Sequence, residues 1–279
     1  MGGAVFAVGC AQSGAAAGAA KSPVRAGSAA ATTVSAGPST TPVSAGPATV
    51  RPVAGHAPGT TATPGAPAAA SHRRTLEFGD RNADVKALQE RLRALHYDPG
   101  TADGRYGQTT QLALFAFEKV NRLKLTGIVG AGVWKALDAP ETPKPLVRDS
   151  ARERVEIDLA RQLLYVYRGG QVVLISHVSS GGGYRYCAKD PGSDTPRCRY
   201  AVTPTGDYLT GRRVGGWDTG PLGSLYKPVY FNGGIAVHGY PSVPLEPVSH
   251  GCVRVPMHTA DVFQELVGDG VLVHVRGAR

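Results

Sequence analysis

Apolar residues recur at spacings of three, four and three through Val85, Leu88, Leu92 and Leu95, the signature of one buried helix face. Asp80 or Asn82 can cap this helix, and Asp98-Pro99-Gly100 ends it. The pattern predicts a second helix near Gln108 to Val120 that buries Leu112, Phe115 and Phe117, and a short third carrying Val133, Trp134 and Leu137. After the connector Pro140 to Pro145 the period changes to two. Val155, Ile157 and Leu159 alternate with Glu156 and Asp158, which predicts a half-buried strand. Leu164 to Tyr167, Gly169-Gly170 and Val172 to Val178 predict a hairpin, and Thr203-Pro204-Thr205-Gly206 a turn. Ile235 to Val237 and Val271 to Val273 predict further strands, and Thr259 to Leu266 one late helix. The sequence thus divides into a small all-α three-helix unit and a mainly-β unit with long glycine-rich loops.

Composition adds a region without periodicity. From Ala11 to about Ser71 the chain is almost all Ala, Gly, Pro, Ser, Thr and Val, with no aromatic residue. Such a stretch cannot bury enough apolar surface to offset its ordering entropy, so it is expected to be a disordered tether. The expected boundaries are 1–20 for a truncated export signal, 21–75 for the tether, 76–139 for the helical unit, 140–152 for a linker and 153–279 for the β unit.

The net charge is +9, but its distribution argues against nucleic acid. Five basic and no acidic residues precede Glu77, whereas Leu76 to Asp138 holds nine against eight and Ser150 onward fourteen against eleven. More than half of the excess falls on the tether, and no nucleic-acid motif accompanies it. Attraction to anionic wall polymers or lipid headgroups fits this distribution better.

No run of eighteen apolar residues occurs, so no complete transmembrane helix is predicted. Ala4-Val5-Phe6-Ala7-Val8-Gly9-Cys10 resembles the tail of a bacterial lipoprotein signal, with a small residue before a Cys that becomes acylated. A basic leading region is missing, so the expectation is an exported lipoprotein of actinobacterial type whose start lies further upstream, with Cys10 lipidated and possible anchoring to a membrane. The other cysteines, Cys187, Cys198 and Cys252, are not spaced as zinc ligands. Cys187 and Cys198 bracket a loop that a disulfide could close, contributing on the order of 3 kcal/mol.

The helical unit carries more than periodicity. Val85-x-x-Leu88-Gln89-x-x-Leu92, Asp103-Gly104-x-Tyr106-Gly107-x-x-Thr110, Phe115-x-Phe117, Gly127-x-Val129-Gly130 and Trp134-x-x-Leu137 together resemble the bacterial peptidoglycan-binding three-helix domain. The resemblance implies binding to glycan or stem peptide. The glycines suit interhelical turns that need positive φ, and Tyr106 and Trp134 are expected in the core rather than as sugar platforms.

The chemistry concentrates in His238-Gly239 and Ser249-His250-Gly251-Cys252-Val253-Arg254. A thiol with an ordinary pKa of about 8.5 is mostly protonated at neutral pH and needs a base or a positive neighbour to react. Two histidines are close in sequence, one at the end of a predicted strand and one two residues before the thiol. Gly251 keeps bulk away from the Cys252 backbone, so amides there can face a developing oxyanion. With Thr203-Pro204-Thr205-Gly206 and Gly233-Gly234-Ile235-Ala236-Val237-His238-Gly239, the string resembles the L,D-transpeptidase (YkuD-type) family.

That resemblance implies a β-sandwich-like catalytic domain with Cys252 as nucleophile and His238 as proton acceptor and donor. It implies that the Gly239 carbonyl orients the His238 ring, and that amides at Gly251 and Cys252 form the oxyanion hole. His250 and Ser249 shape the site, Arg254 positions substrate or stiffens the loop, and Gly233 and Gly234 bring backbone close to the donor stem. The implied reaction is acylation of Cys252 by the third residue of a tetrapeptide stem, loss of the terminal D-Ala, and transfer to an amine of a neighbouring stem. This 3→3 cross-linking needs no cofactor and no metal, and places the protein outside the cytoplasm, in the wall or on the outer face of the membrane. Carbapenems are expected to acylate the same thiol.

Ten residues separate His238 from Ser249, fewer than in the best-known cross-linking members, and position 254 is Arg where many carry Asn. Both features bear on the acceptor. Three alternatives stay open on sequence: an L,D-carboxypeptidase with water as acceptor, a non-catalytic wall-binding lipoprotein, and a zinc peptidase using His238, His250 and Cys252.

Overall fold

A computed structural model describes residues 73–148, 151–190 and 192–277. The lipidation site Cys10, the signal and the tether up to residue 72 lie outside the described residues. No helix among the described residues is long and apolar enough to cross a membrane.

Three helices open the structure: α1 (Ala83–Ala94), α2 (Gln108–Val120) and α3 (Ala131–Asp138). Of the two cap candidates, Asn82 caps α1, its Oδ1 accepting from the Val85 amide at 3.0 Å. Such a cap stabilises a helix end by about 1 kcal/mol. Asp80 instead closes its own turn, accepting from the Glu77 amide. Leu88, Leu92, Leu114, Phe117 and Leu137 fill the centre, and Tyr106 and Trp134 are buried with them. Gly104 and Gly127 take the positive φ expected of them, +74° and +61°. Gly107 and Gly130 do not: they precede α2 and α3 with extended backbone, at φ −101° and −89°.

The remainder is mainly β. Strands β1 (Arg154–Asp158), β2 (Leu163–Arg168), β3 (Gln171–His177), β4 (Arg185–Lys189), β5 (Pro196–Tyr200), β6 (Gly206–Leu209), β7 (Trp217–Gly220), β8 (Gly223–Asn232), β9 (Ile235–Gly239), β10 (Val253–Val255) and β11 (Leu272–Arg276) are joined by helix α4 (Met257–Leu266). A five-stranded sheet runs β3-β2-β1-β11-β6, a four-stranded sheet β10-β9-β8-β7, and β4 pairs with β5 as a separate hairpin. The predicted hairpin is β2–β3, with Gly169 and Gly170 at φ +59° and +82°. The stretch Thr203 to Thr205 forms no turn and runs irregularly into β6.

Each face of the five-stranded sheet has its own cover. Val155, Ile157, Leu164, Val166 and Leu174 pack with Val229, Val237 and Val253 of the second sheet and Phe263 of α4. On the other face Leu163, Tyr165, Tyr167 and Ile175 join the helical core. This corrects the half-buried β1: all five of its residues are buried, because the helices cover the side that alternation had assigned to water. A buried carboxylate needs partners, and Glu156 has them: Arg154 Nε donates at 2.7 Å and the linker amide of Leu146 at 2.7 Å.

Docking is polar as well as apolar. The Ile175 amide on edge strand β3 donates to the His96 carbonyl at 2.8 Å, so the loop after α1 occupies that edge. Asp98 accepts from Thr259 Oγ1 at 3.0 Å, at the start of α4.

Candidate active site

Parallel pairing of β9 with β10 sets the two central residues side by side. The register places Arg254 opposite His238 and Val253 opposite Val237, so Cys252, one residue before β10, stands at the mouth of the same two strands. Gly251 reaches this position with φ +141°, and a Cβ there would lie 2.8 Å from the Val202 carbonyl oxygen. Only glycine fits without displacing backbone.

His238 is 4 % exposed. Its Nδ1 lies 2.9 Å from the Gly239 carbonyl oxygen. A carbonyl only accepts, so Nδ1 carries the proton and the neutral ring keeps its lone pair on Nε2. Burial pushes the His238 pKa down to about 4; the Gly239 carbonyl opposes this and the Arg254 charge adds to it. His238 is therefore neutral at physiological pH.

The thiol is also neutral at rest. Burial pushes the Cys252 pKa up, opposed by a hydrogen bond from the Ala236 amide and by the charge of Arg254. Its sulfur also lies 3.7 Å from the Gly234 carbonyl oxygen. At rest the thiol and the imidazole are thus both neutral.

Ser249 and Thr203 hold the turn. Ser249 Oγ donates to the Cys252 carbonyl at 2.5 Å and accepts from the Gly251 amide at 3.0 Å. Thr203 Oγ1 donates to the Gly251 carbonyl at 2.6 Å and accepts from the Gly181 amide at 2.9 Å. The Gly251 amide, assigned on sequence to an oxyanion hole with the Cys252 amide, is therefore engaged by Ser249 and must leave it to serve an oxyanion. Thr203 itself was readable only as part of a turn motif.

Tyrosines surround the pair. Tyr184 and Tyr186 meet the His250 ring edge-on at 5.5 and 4.7 Å, which pins the β4–β5 hairpin to the Cys252 turn. Burial, then Arg254, lowers the pKa of His250. Cys187 and Cys198, opposite each other in this hairpin, are joined by a disulfide. The Arg254 guanidinium lies over the Tyr240 ring at 4.1 Å, and the His238 ring meets Tyr240 edge-on at 6.0 Å. Gly233 and Gly234 form the exposed β8–β9 turn, Gly233 at φ +54°. A groove of about 420 Å³ opens at Gly234, lined by Arg199, Arg212, Asp218, Leu225 and Tyr230. Arg212 stacks on Tyr230 at 4.0 Å, and both it and the Tyr230 hydroxyl bind Asp218, at 2.9 and 2.7 Å. No sequence signal marks Tyr186, Tyr230 or Tyr240, since nothing local distinguishes a site tyrosine from a core one.

Among the described residues no three His, Cys, Asp or Glu side chains gather as a metal site, so His238, His250 and Cys252 do not form the ligand set of a zinc peptidase.

Residues 152–275 match the L,D-transpeptidase catalytic domain and residues 81–137 a peptidoglycan binding domain. The structure is similar to that of an L,D-transpeptidase from Xylanimonas cellulosilytica, 38% identical, over 73% of this chain and 98% of that one, with a TM-score of 0.66. An L,D-transpeptidase from Stackebrandtia nassauensis is 22% identical over 73% of this chain and 96% of its own, with a TM-score of 0.43. A stretch of 91 residues, 33% of the chain, is 28% identical to the carboxy-terminal processing protease CtpB of Bacillus subtilis, of which it spans 18%. On the match to nearly all of the crystallised Xylanimonas segment, the chain belongs to the L,D-transpeptidase family.

Proposed function

We propose that the protein builds 3→3 cross-links in peptidoglycan through an acyl-enzyme on Cys252. The observation that carries this reading is His238: buried, neutral, fixed through Nδ1 to Gly239, and set by the β9–β10 register beside the Cys252 turn. His238 Nε2 takes the thiol proton as sulfur attacks the carbonyl of the third stem residue. The imidazolium returns that proton to the departing D-Ala amine, and a thioester remains. An amine of a second stem gives a proton to His238, attacks the thioester and releases the thiol, so the proton count closes over the cycle. The Cys252 amide, joined by the Gly251 amide once Ser249 releases it, stabilises each tetrahedral oxyanion. Arg254, stacked on Tyr240, stiffens this wall and places positive charge near the forming thiolate.

Peptidoglycan as substrate, supported by both domain matches, puts the site of action outside the cytoplasm. Lipidation at Cys10 would keep the protein at the outer face of the membrane, with the tether setting its reach. A tetrapeptide donor offered with and without an acceptor amine tests the reaction. D-Ala plus a cross-linked dimer is the expected product. D-Ala plus free tripeptide in the presence of amine would make it a carboxypeptidase, and folded protein that releases no D-Ala would leave only wall binding.

A further inference from the structure

Lys119 lies on α2, as does Phe115, whose ring meets His177 edge-on at 6.3 Å. The Lys119 amine head, whose pKa burial pushes down to about 7, reaches into the catalytic domain. Its Nζ donates to the Gln162 carbonyl at 3.1 Å and lies 2.7 Å from His177 Nδ1. His177, at the end of β3, is 1 % exposed. Its other nitrogen, Nε2, faces the carbonyl oxygens of Val243 and Pro244 at 3.2 and 3.1 Å. Those carbonyls only accept, so Nε2 carries the ring proton and Nδ1 is the acceptor for Lys119. The Gln162 carbonyl oxygen also lies 3.3 Å from Nδ1, and Lys119 Nζ, in contact with both, bridges the two acceptors. Burial with the Lys119 charge pushes the His177 pKa down to about 4.

Val243 and Pro244 belong to the ten residues that connect His238 to Ser249. The rest of this segment is tied to the strip that follows β3. Ser179 Oγ donates to the Glu246 carbonyl at 2.7 Å and accepts from the Val248 amide at 3.2 Å. The Ser249 amide donates to the Ser180 carbonyl at 2.9 Å. The segment that spaces the base from the nucleophile is therefore held by Ser179 from within the catalytic domain and, through His177, by Lys119 from the helical domain, with Gln108 Nε2 of α2 also donating to the Pro241 carbonyl at 3.5 Å.

We infer that Lys119 is a positioning residue: through His177 it fixes the 240–248 segment, so that the docked peptidoglycan-binding domain completes the support of the Cys252 turn. Without the lysine, His177 Nδ1 is a buried acceptor with one donor lost, the kind of defect that a local rearrangement relieves. A rearrangement at residues 243 and 244 moves the end of the segment that carries Ser249 and Cys252, and small misplacements at a reacting pair cost large factors in rate.

The inference rests on the proposed role of Cys252, and its test is readable even without transpeptidation. The full chain with Lys119→Met, which keeps the apolar stem, and with Lys119→Gln, which keeps a shorter neutral donor, is compared with the wild type. The first readout is alkylation of Cys252 by iodoacetamide, followed by peptide mapping; the second is kcat and KM for D-Ala release; the third is hydrogen exchange in 240–248. Lys119→Met is expected to lose about tenfold in Cys252 alkylation rate and in kcat, at nearly unchanged KM, with faster exchange in 240–248. Lys119→Gln is expected to recover part of that loss. Binding to insoluble peptidoglycan should be unchanged. Folded Lys119→Met with wild-type alkylation and exchange overturns the inference, as does a Lys119→Gln variant no better than Lys119→Met. If Lys119→Met does not fold, Lys119→Gln carries the test alone: a partial loss in rate with faster exchange supports the inference, and wild-type values overturn it.

Discussion

His177 and His238 are a natural pair for comparison. His177 is the last residue of β3 and His238 the last but one of β9, both are buried, and in both burial pushes the pKa to about 4. They differ in what their nitrogens do. His177 has Lys119 on one nitrogen and two carbonyls on the other, so its ring is spent on structure. His238 commits only Nδ1, to Gly239, and stands beside the Cys252 turn. A depressed pKa reports burial in both places. The uncommitted nitrogen, not the pKa, distinguishes the proposed base from the structural histidine.

The largest predicted effect separates the nucleophile from everything else. Cys252→Ser should abolish D-Ala release with the fold intact, because a hydroxyl paired with this base is a far poorer nucleophile at neutral pH. His238→Gln, which keeps the volume but removes the base, should lower kcat/KM by roughly 10²–10⁴ and leave Tm little changed. His177→Phe should reverse that balance. It strands the Lys119 ammonium and two carbonyls, costing roughly 2–3 kcal/mol, visible as a drop in Tm, while D-Ala release falls only about tenfold. Equal behaviour of the two histidine variants in both assays would break the comparison.

The pH dependence of stability is shared by the two rings. In each the folded pKa is below the unfolded value near 6.5, so between about 6.5 and 4 the unfolded chain binds more protons and stability falls as pH falls. Each ring contributes at most roughly 3 kcal/mol across that window. Urea unfolding at pH 6.5, 5 and 4 should show the loss, and His177→Phe should flatten part of it. A flat wild-type profile would mean that the rings are not held neutral. Smaller effects belong to the hairpin. His250→Ala, which removes its contact with Tyr184 and Tyr186, and reduction of Cys187–Cys198 should each cost less than tenfold in D-Ala release; a loss as large as that of His238→Gln would give the hairpin a chemical role.

What the sequence disclosed follows the same physics. The helices were legible because each has one wet and one dry face, so Leu88, Leu92 and Leu137 announce themselves by spacing. Cys252, His238 and Gly251 stood out because the chemistry proposed for them demands those residue types. The β4, β5 and β7 strands were not legible, since most of their residues are exposed and none is fully buried. Glu156 was read as a solvent-facing residue because nothing in β1 reveals that a second domain covers that face. Lys119 carried no signal for a similar reason: its partner His177 is 58 residues away in sequence. The Ser249 hold on the Gly251 amide was invisible because spacing says nothing about which amides are already occupied.

The central claim is a covalent one, and intact-mass measurement of the folded protein tests it most directly. With a tetrapeptide donor or a carbapenem and no acceptor, the account predicts one acyl adduct, mapped to Cys252, formed much more slowly by His238→Gln and unaffected by EDTA. Absence of any adduct on folded wild-type protein, or an adduct undiminished in Cys252→Ala, would contradict it.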